Sequence, residues 1–184
     1  MRMRSVMLLA ALLSGGCASH YGKLPKLPAV PSGTYLLGPG DALQVTVFGE
    51  EDLSGPLRVN DSGAVSMPLI GPVQAAGLTV PDLQHKLIEL LNTKAVKSPD
   101  VTVQITEYRP FFILGEVKNP GSYSYVPDMT VLTAVAIAGG YTFRASEDEV
   151  SVTRKSEDAA HEAQASRNSR ILPGDVVYVF ERHF

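Results

Sequence analysis

Residues 35–48 read YLLGPGDALQVTVF and contain a turn that is followed directly by a strand. Pro39 fixes φ near −65° and Gly40 tolerates a positive φ, as the second and third positions of a type II turn require. Apolar and polar side chains then alternate over residues 43–47, and this period of two predicts a half-buried strand. The same turn and strand recur at residues 172–180, LPGDVVYVF. We therefore expect the folded region to begin and end on similar units.

The composition is typical of a globular protein with one domain or two small ones, since 45% of the 184 residues are hydrophobic and 19% are charged. No run of about 18 apolar residues occurs, so the sequence predicts no transmembrane helix of ordinary length. The formal net charge is −3 and no basic patch stands out, which argues against nucleic acid as a partner. Cys17 is the only cysteine, so no internal disulfide is expected.

The N-terminus has the pattern of a secretory signal peptide. Two arginines precede an apolar run at residues 6–13, and small residues follow it. Cys17 comes next and resembles the cysteine of the bacterial lipobox, although Ser14 occupies the place where leucine is usual. We expect removal of residues 1–16 and diacylation of Cys17, with a buried or incidental free cysteine as the alternative. Because Ala18 rather than Asp follows the cysteine, we expect an outer-membrane lipoprotein that faces the periplasm.

Residues 17–33 are predicted to form a tether between the lipid and the folded part. Within it Pro25, Pro28 and Pro31 are regularly spaced and large apolar side chains are few, which is typical of an extended linker of polyproline character. At about 3 Å per residue, such a linker would hold the folded part some tens of Å from the membrane.

The element order predicted for residues 34–107 is strands, a helix and a strand, which indicates an α+β unit with a mixed sheet. Two short strands are predicted at residues 57–60 and 64–67, joined as a hairpin by a turn. Thr79 and Asp82 have the spacing of a helix cap, and a stripe of leucines at helical spacing follows them.

Residues 108–184 are predicted to form a second unit, a small β-grasp of hairpin, helix and further strands. Thr130 is expected to cap its short helix. The glycine pair at residues 139–140 follows that helix, so it is predicted to end the helix rather than to open a phosphate-binding loop. Residues 155–170 are polar and almost devoid of large apolar side chains, so we expect a mobile excursion there.

No catalytic motif is present. The sequence has no G-x-S-x-G nucleophile elbow and no H-E-x-x-H or C-x-x-C metal pattern. The acidic run at residues 50–52 fits a solvated loop better than a metal site. Residues 38–40 begin like a dinucleotide fingerprint but precede a strand instead of a helix. We therefore expect no enzymatic activity, no metal and no cofactor.

Tyr123 and Tyr125 either cover a core or stack on sugar rings.

Several motifs, in order, resemble those of bacterial polysaccharide export proteins, the Wza-type outer-membrane exporters of capsule and exopolysaccharide. The segments that resemble their export domain are residues 35–48, 68–79 (PLIGPVQAAGLT) and 99–103 (PDVTV). The segments that resemble the soluble-ligand-binding β-grasp domain of these proteins are residues 115–123 (GEVKNPGSY), 130–132, 138–140 and 172–176.

This resemblance implies an α+β fold in which a polysaccharide-export domain, with a mixed sheet and one main helix, precedes one β-grasp domain. It also implies a lipid-anchored homo-oligomeric ring that conducts polysaccharide from the periplasm through the outer membrane. The implied partners are a polymerase and an inner-membrane polysaccharide co-polymerase, often a tyrosine kinase. The resemblance assigns no residues to polysaccharide contact.

Long members of the family add another β-grasp repeat and a C-terminal amphipathic helix that crosses the outer membrane. The sequence here stops at Phe184, directly after the closing strand, so we expect a periplasmic ring or docking beneath a separate outer-membrane β-barrel. A glycan-binding scaffold lipoprotein is the second hypothesis, and a periplasmic glycan-modifying enzyme is the third.

Overall fold

A computed structural model describes residues 21–30, 35–94, 96–155 and 159–182. It confirms the predicted α+β class. The helices and strands in chain order are β1 (Ala42–Val47), β2 (Gly55–Arg58), β3 (Ala64–Met67), β4 (Gly71–Gln74), α1 (Val80–Lys94), β5 (Val101–Glu107), β6 (Phe111–Gly115), β7 (Gly121–Tyr123), α2 (Val131–Ile137), β8 (Ala145–Lys155), β9 (Ala160–Ala165) and β10 (Val176–Glu181).

The first unit, residues 35–107, contains a three-stranded sheet, a two-stranded hairpin and α1 around one core. The sheet order is β2-β1-β5 and all of its pairs are antiparallel, so the mixed sheet predicted for this unit is wrong. β1 is the central strand of this sheet. Its alternate side chains are apolar and fully buried, as its sequence predicts. The side chains that α1 buries in the same core recur every fourth residue, on one face of the helix, and are Leu83, Leu87 and Leu91.

The predicted cap of α1 is confirmed. The Thr79 hydroxyl donates to Asp82 Oδ2 at 2.6 Å, and the Asp82 backbone N–H donates to Thr79 Oγ1 at 3.3 Å. The hydrogen bonds with Thr79 lower the pKa of the Asp82 carboxyl below its usual value. This reciprocal pair satisfies backbone groups that the first turn of a helix leaves free.

The predicted hairpin between residues 57–60 and 64–67 is wrong in its pairing. β2 pairs with β1, whereas β3 pairs with β4. The turn itself is present, and Asn60 Oδ1 accepts the backbone N–H groups of Ser62 and Ala64. Alternation shows that a strand forms, but it carries no information about which strand lies beside it.

The second unit, residues 108–182, is a five-stranded mixed sheet of order β7-β6-β10-β8-β9. Only the β6–β10 pair in this sheet is parallel. α2 shares a core with one face of the sheet, which gives the predicted β-grasp-like layout. Thr130 caps α2 in a capping box with Thr133, and the helix stops before the glycine pair at residues 139–140, as expected.

The predicted mobile excursion at residues 155–170 is wrong where β9 forms. β9 is an antiparallel edge strand whose register with β8 runs from Val150↔Ala165 to Lys155↔Ala160. Its buried side chains are only alanines, Ala163 and Ala165. An edge strand that buries small side chains lacks the large apolar pattern by which strands are usually predicted.

Residues 21–30, here called the strap, lie along β9 at the edge of the second sheet. The Leu27 N–H donates to Gln164 O at 2.8 Å, and the Gln164 N–H donates to Pro25 O at 2.7 Å. Leu27 also packs against the core of the second unit. The predicted free tether is therefore wrong for these residues, because backbone hydrogen bonds and apolar contact attach them to the second unit.

None of the helices in the described ranges is both long and apolar enough to cross a membrane. Cys17 and the predicted signal peptide at residues 1–16 lie outside the described residues, as do residues 31–34. Their predicted roles stay predictions.

Candidate functional site

The two similar turns of the sequence lie on either side of one arginine. Gly40 and Gly174 have φ values of 99° and 86°, as the predicted turn type requires. Arg109, in the linker between β5 and β6, bonds Asp41 of the first turn and donates from Nε to Pro173 O of the second at 3.1 Å. The turn that opens the first unit and the turn that precedes the last strand therefore meet at Arg109, a place that we call the junction.

Asp41 is fully buried, and both of its carboxylate oxygens accept hydrogen bonds. Oδ1 accepts the backbone N–H of Arg109 at 3.0 Å. Oδ2 accepts the Gly38 N–H at 2.8 Å, the Tyr35 hydroxyl at 2.5 Å and Nη1 of Arg109 at 3.3 Å. A carboxylate with these partners is occupied as a hydrogen-bond acceptor, so its role here is structural rather than that of a general acid or base.

The Arg109 side chain fits into a space that two glycines leave open. A Cβ placed on Gly38 would overlap the guanidinium, and one placed on Gly174 would lie 3.0 Å from Nε. The guanidinium carbon also lies 5.6 Å from the centroid of the Tyr35 ring, within the range of a cation–π contact. Only 27% of the side chain is exposed, so the arginine packs between the turns instead of lying on the surface.

Aromatic side chains extend the junction. The ring centroids of Tyr35 and Tyr108 are 5.1 Å apart, and those of Tyr108 and Tyr125 are 5.5 Å apart, both edge to face. Burial and the bond to Asp41 raise the pKa of the Tyr35 hydroxyl far above its usual value. Burial also raises the pKa of Tyr108 and of Tyr125. These hydroxyls are therefore protonated at neutral pH.

The structure favours one of the two roles considered for Tyr123 and Tyr125. Tyr123 stacks on Phe111 with ring centroids 6.0 Å apart, and Tyr125 packs edge to face on Tyr108. Both are half-buried against the core of the second unit. These tyrosines thus cover a core.

Asp175 repeats the arrangement of Asp41 inside the second unit. Its Oδ2 accepts the Leu172 N–H at 2.7 Å. Arg154 donates from Nε to Oδ1 at 3.0 Å and from Nη2 to Oδ2 at 2.7 Å, which makes a bidentate pair. Each turn therefore carries a buried aspartate that closes its own turn and binds an arginine. For the first turn alone, that arginine comes from the linker to the next unit.

Sequence reasoning missed Arg109 and Arg154. Neither belongs to a local motif, and each binds an aspartate that is distant in the chain. The available signal was the repeated Pro-Gly-Asp itself, because a buried carboxylate needs a donor or a cation nearby. The repeat therefore indicates that a donor or a cation lies near each aspartate, but it does not identify the residue that supplies it.

In the described parts of the chain, other side chains that could bind a metal ion do not lie together. In the parts of the chain that the structure describes, no three His, Cys, Asp or Glu side chains group as a metal ion would need. The acidic run at residues 50–52 includes a single 3-10 turn, and its Glu51 and Asp52 are exposed. The face of the second sheet opposite α2, here called the outer face, exposes Phe112, Leu114 and Tyr178 by 42–45%.

Two family models match adjacent parts of the chain. A polysaccharide biosynthesis/export protein model matches residues 29–106, and an SLBB domain model matches residues 110–165. Arg109 lies between the two matched segments.

Two curated proteins show the same likeness. The exopolysaccharide production protein ExoF of Rhizobium meliloti (strain 1021) is 29% identical over 179 residues, which cover 90% of this chain and 40% of that protein. The polysialic acid transport protein KpsD of Escherichia coli is 30% identical over 108 residues, which cover 58% of this chain and 19% of that protein. The chain thus spans less than half the length of either relative. The order of motifs, the fold and these matches agree: the chain contains a domain of the polysaccharide biosynthesis/export protein family, followed by an SLBB domain.

Proposed function

We propose that this chain is a periplasm-facing lipoprotein component of a machine that exports capsular polysaccharide or exopolysaccharide, anchored in the outer membrane through Cys17. The observation that carries the proposal is the junction, where Arg109 holds an export domain and a β-grasp-like domain together as a pair. The names of the two relatives, for exopolysaccharide production and polysialic acid transport, support a polymeric sugar as the cargo.

The role is structural rather than catalytic. The buried acids of the junction, Asp41 and Asp175, are both occupied by hydrogen bonds from turns and arginines. Carboxylates held in this way shape the protein, whereas acid–base catalysis needs a group that can exchange a proton with the substrate.

Copies of the chain assemble into a closed ring around the polymer. The outer face supports this step, because Phe112, Leu114 and Tyr178 expose apolar surface that α2 does not cover. Burial of such surface between subunits is favourable. A closed ring also requires each copy to present its contacts at a fixed angle, and the Arg109 contacts restrain the angle between the two units.

The ring receives polymer from an inner-membrane polysaccharide co-polymerase, often a tyrosine kinase, and guides it toward the outer membrane. This part of the proposal rests on the motif resemblance.

Deletion of the gene, followed by fractionation of the polymer, tests the function. The export role predicts polymer retained in the periplasm, and complementation with the wild-type chain should restore export. Polymer that is secreted but detached from the cell would favour the glycan-binding scaffold instead. Normal secretion and attachment would contradict both. Complementation with Cys17→Ala tests the anchor separately, since that variant should fold but leave the membrane fraction.

A further inference from the structure

Helix α2 is apolar on the side that faces solvent as well as on the side that faces the core. Val131, Ala134 and Val135 are buried. Leu132 and Ile137 lie on the other side and are 45% and 47% exposed. A helix that is apolar all round is normally covered on all sides. The solvent side of α2 is therefore expected to be covered when the protein assembles.

The exposed positions of α2 form one continuous patch, here called the helix face. Residues 132 and 136, and likewise residues 133 and 137, are about one helical turn apart on the same side of the helix. No charged residue occurs in the sequence between Asp128 and Arg144. The helix thus contributes no charge to this patch, as is typical for the centre of a protein–protein interface. The exposed members of the helix face are Leu132, Thr133, Ala136 and Ile137.

The outer face, on the opposite side of the same unit, has the same character. β6 and β10 are parallel neighbours, with Phe112 beside Val176 and Leu114 beside Tyr178. These four side chains form one apolar patch, because register partners point to the same face of a sheet. β6 contains no charged residue, and the one in β10 is Glu181 at its end. The second unit therefore carries an uncharged apolar patch on each of its two sides.

The opposite positions of the two patches limit how copies of the chain can associate. Contact between two copies of the same patch would close a dimer and leave the other patch in water. Contact between the helix face of one copy and the outer face of the next removes both patches from water and repeats from copy to copy. Lipid anchors in one membrane keep all copies in one plane, so such a series closes as a ring rather than growing as a helical filament.

We propose that neighbouring copies of the chain join through the second unit, with the helix face of one copy packed on the outer face of the next. This inference rests on the ring in the proposed function. It adds which two surfaces form each contact, and it makes a second copy of this chain the occupant of the helix face.

Single cysteines on the two faces test this pairing by cross-linking. Ala136→Cys lies on the helix face, and Ser122→Cys lies on the outer face because Ser122 is the register partner of Phe112. Both substitutions are small and remove no large apolar side chain. Lipidated Cys17 has no free thiol, so each introduced cysteine is the only reactive one. Thr102→Cys, exposed on β5 of the first unit, is the matched control.

The variants are co-expressed in pairs as full, lipidated chains, and the membranes are treated with a short bis-maleimide. Ala136→Cys with Ser122→Cys should give dimers that contain up to about half of the chains, because random mixing places the two cysteines at about a quarter of the contacts. Each variant alone, and each paired with Thr102→Cys, should give no dimer above the untreated level. A chain that carries both Ala136→Cys and Ser122→Cys should give a ladder that ends at the closed ring.

The other outcomes separate this inference from the function on which it rests. Dimers from one variant alone would show that like faces meet, and equal linking to Thr102→Cys would show random collision; either result overturns the pairing. A wild-type ring seen by sedimentation, together with no link between positions 136 and 122, overturns the pairing and leaves the ring intact. Sedimentation of the wild-type protein as monomers overturns the ring and the pairing together.

Discussion

Replacing Gly38 by alanine should expel the Arg109 guanidinium from the junction without removing any of its hydrogen-bonding partners. The new Cβ would overlap Nη1 and Cζ of the arginine. The backbone at Gly38 does not have a positive φ, so alanine is not strained there for its own conformation. The cost of the substitution therefore reports the loss of the Arg109 contacts.

The structure sets the size of the expected effect. The displaced side chain loses its bond to Asp41 Oδ2 at 3.3 Å and its bond to Pro173 O at 3.1 Å. Hydrogen bonds that involve a charged group contribute about 1.5–3 kcal/mol each. Asp41 keeps the bonds from the Gly38 N–H, the Tyr35 hydroxyl and the Arg109 backbone, so the lower part of that range applies. We expect the free energy of unfolding to fall by about 2–3 kcal/mol.

A double-mutant cycle with Arg109→Ala is the appropriate assay, with unfolding followed in urea by circular dichroism. In the absence of the guanidinium, alanine at position 38 has room, so the double variant should be little worse than Arg109→Ala alone. The interaction energy should be about 2 kcal/mol. Gly55→Ala is the matched control, because a Cβ there meets no atom within 4 Å and the expected change is within about 0.5 kcal/mol.

Two results would refute the reasoning. One is a Gly38→Ala variant as stable as Gly55→Ala, which would show that the arginine contacts contribute little. The other is strict additivity in the cycle, which would show that the two residues do not compete for the same space. Calorimetry adds a second readout, since loss of the junction should separate the thermal transitions of the two units.

Three further predictions concern other parts of the molecule. Above about pH 10 the unfolded chain ionises Tyr35 while the folded chain keeps its proton, so stability falls as pH rises. Tyr35→Phe should make the fall of the urea midpoint between pH 10 and 11.5 shallower, and an unchanged slope would contradict this. Thr130→Ala removes the hydroxyl that accepts the Thr133 N–H in the α2 capping box and should cost about 1 kcal/mol in thermal unfolding, whereas Thr130→Ser should recover most of it. Leu114→Glu places a charge on the outer face and should abolish higher oligomers in analytical ultracentrifugation while the monomer keeps its melting temperature; an unaltered oligomer would exclude this face from the interface.

Local physical chemistry in the sequence was sufficient to predict most elements. Alternation over residues 43–47 identified β1, because successive side chains of a strand point to opposite faces. Leucines every fourth residue, with Thr79 and Asp82 before them, identified α1 and its start. The Pro-Gly-Asp turns were also readable, since proline and glycine impose the backbone angles of the turn directly. Motif order then identified the family.

Relations between distant segments came only from the tertiary structure. β9 pairs with β8 and the strap pairs with β9 through backbone hydrogen bonds, which leave almost no trace in side-chain composition. Arg109 bonds Asp41, 68 residues away, and no local pattern marks a partner at such a separation. The sequence by itself determined that a turn and a strand begin at residue 38. The structure decided that this turn is completed by an arginine from the linker and set against a second copy of the same motif, because a buried carboxylate is stabilised by whichever donors the fold brings to it.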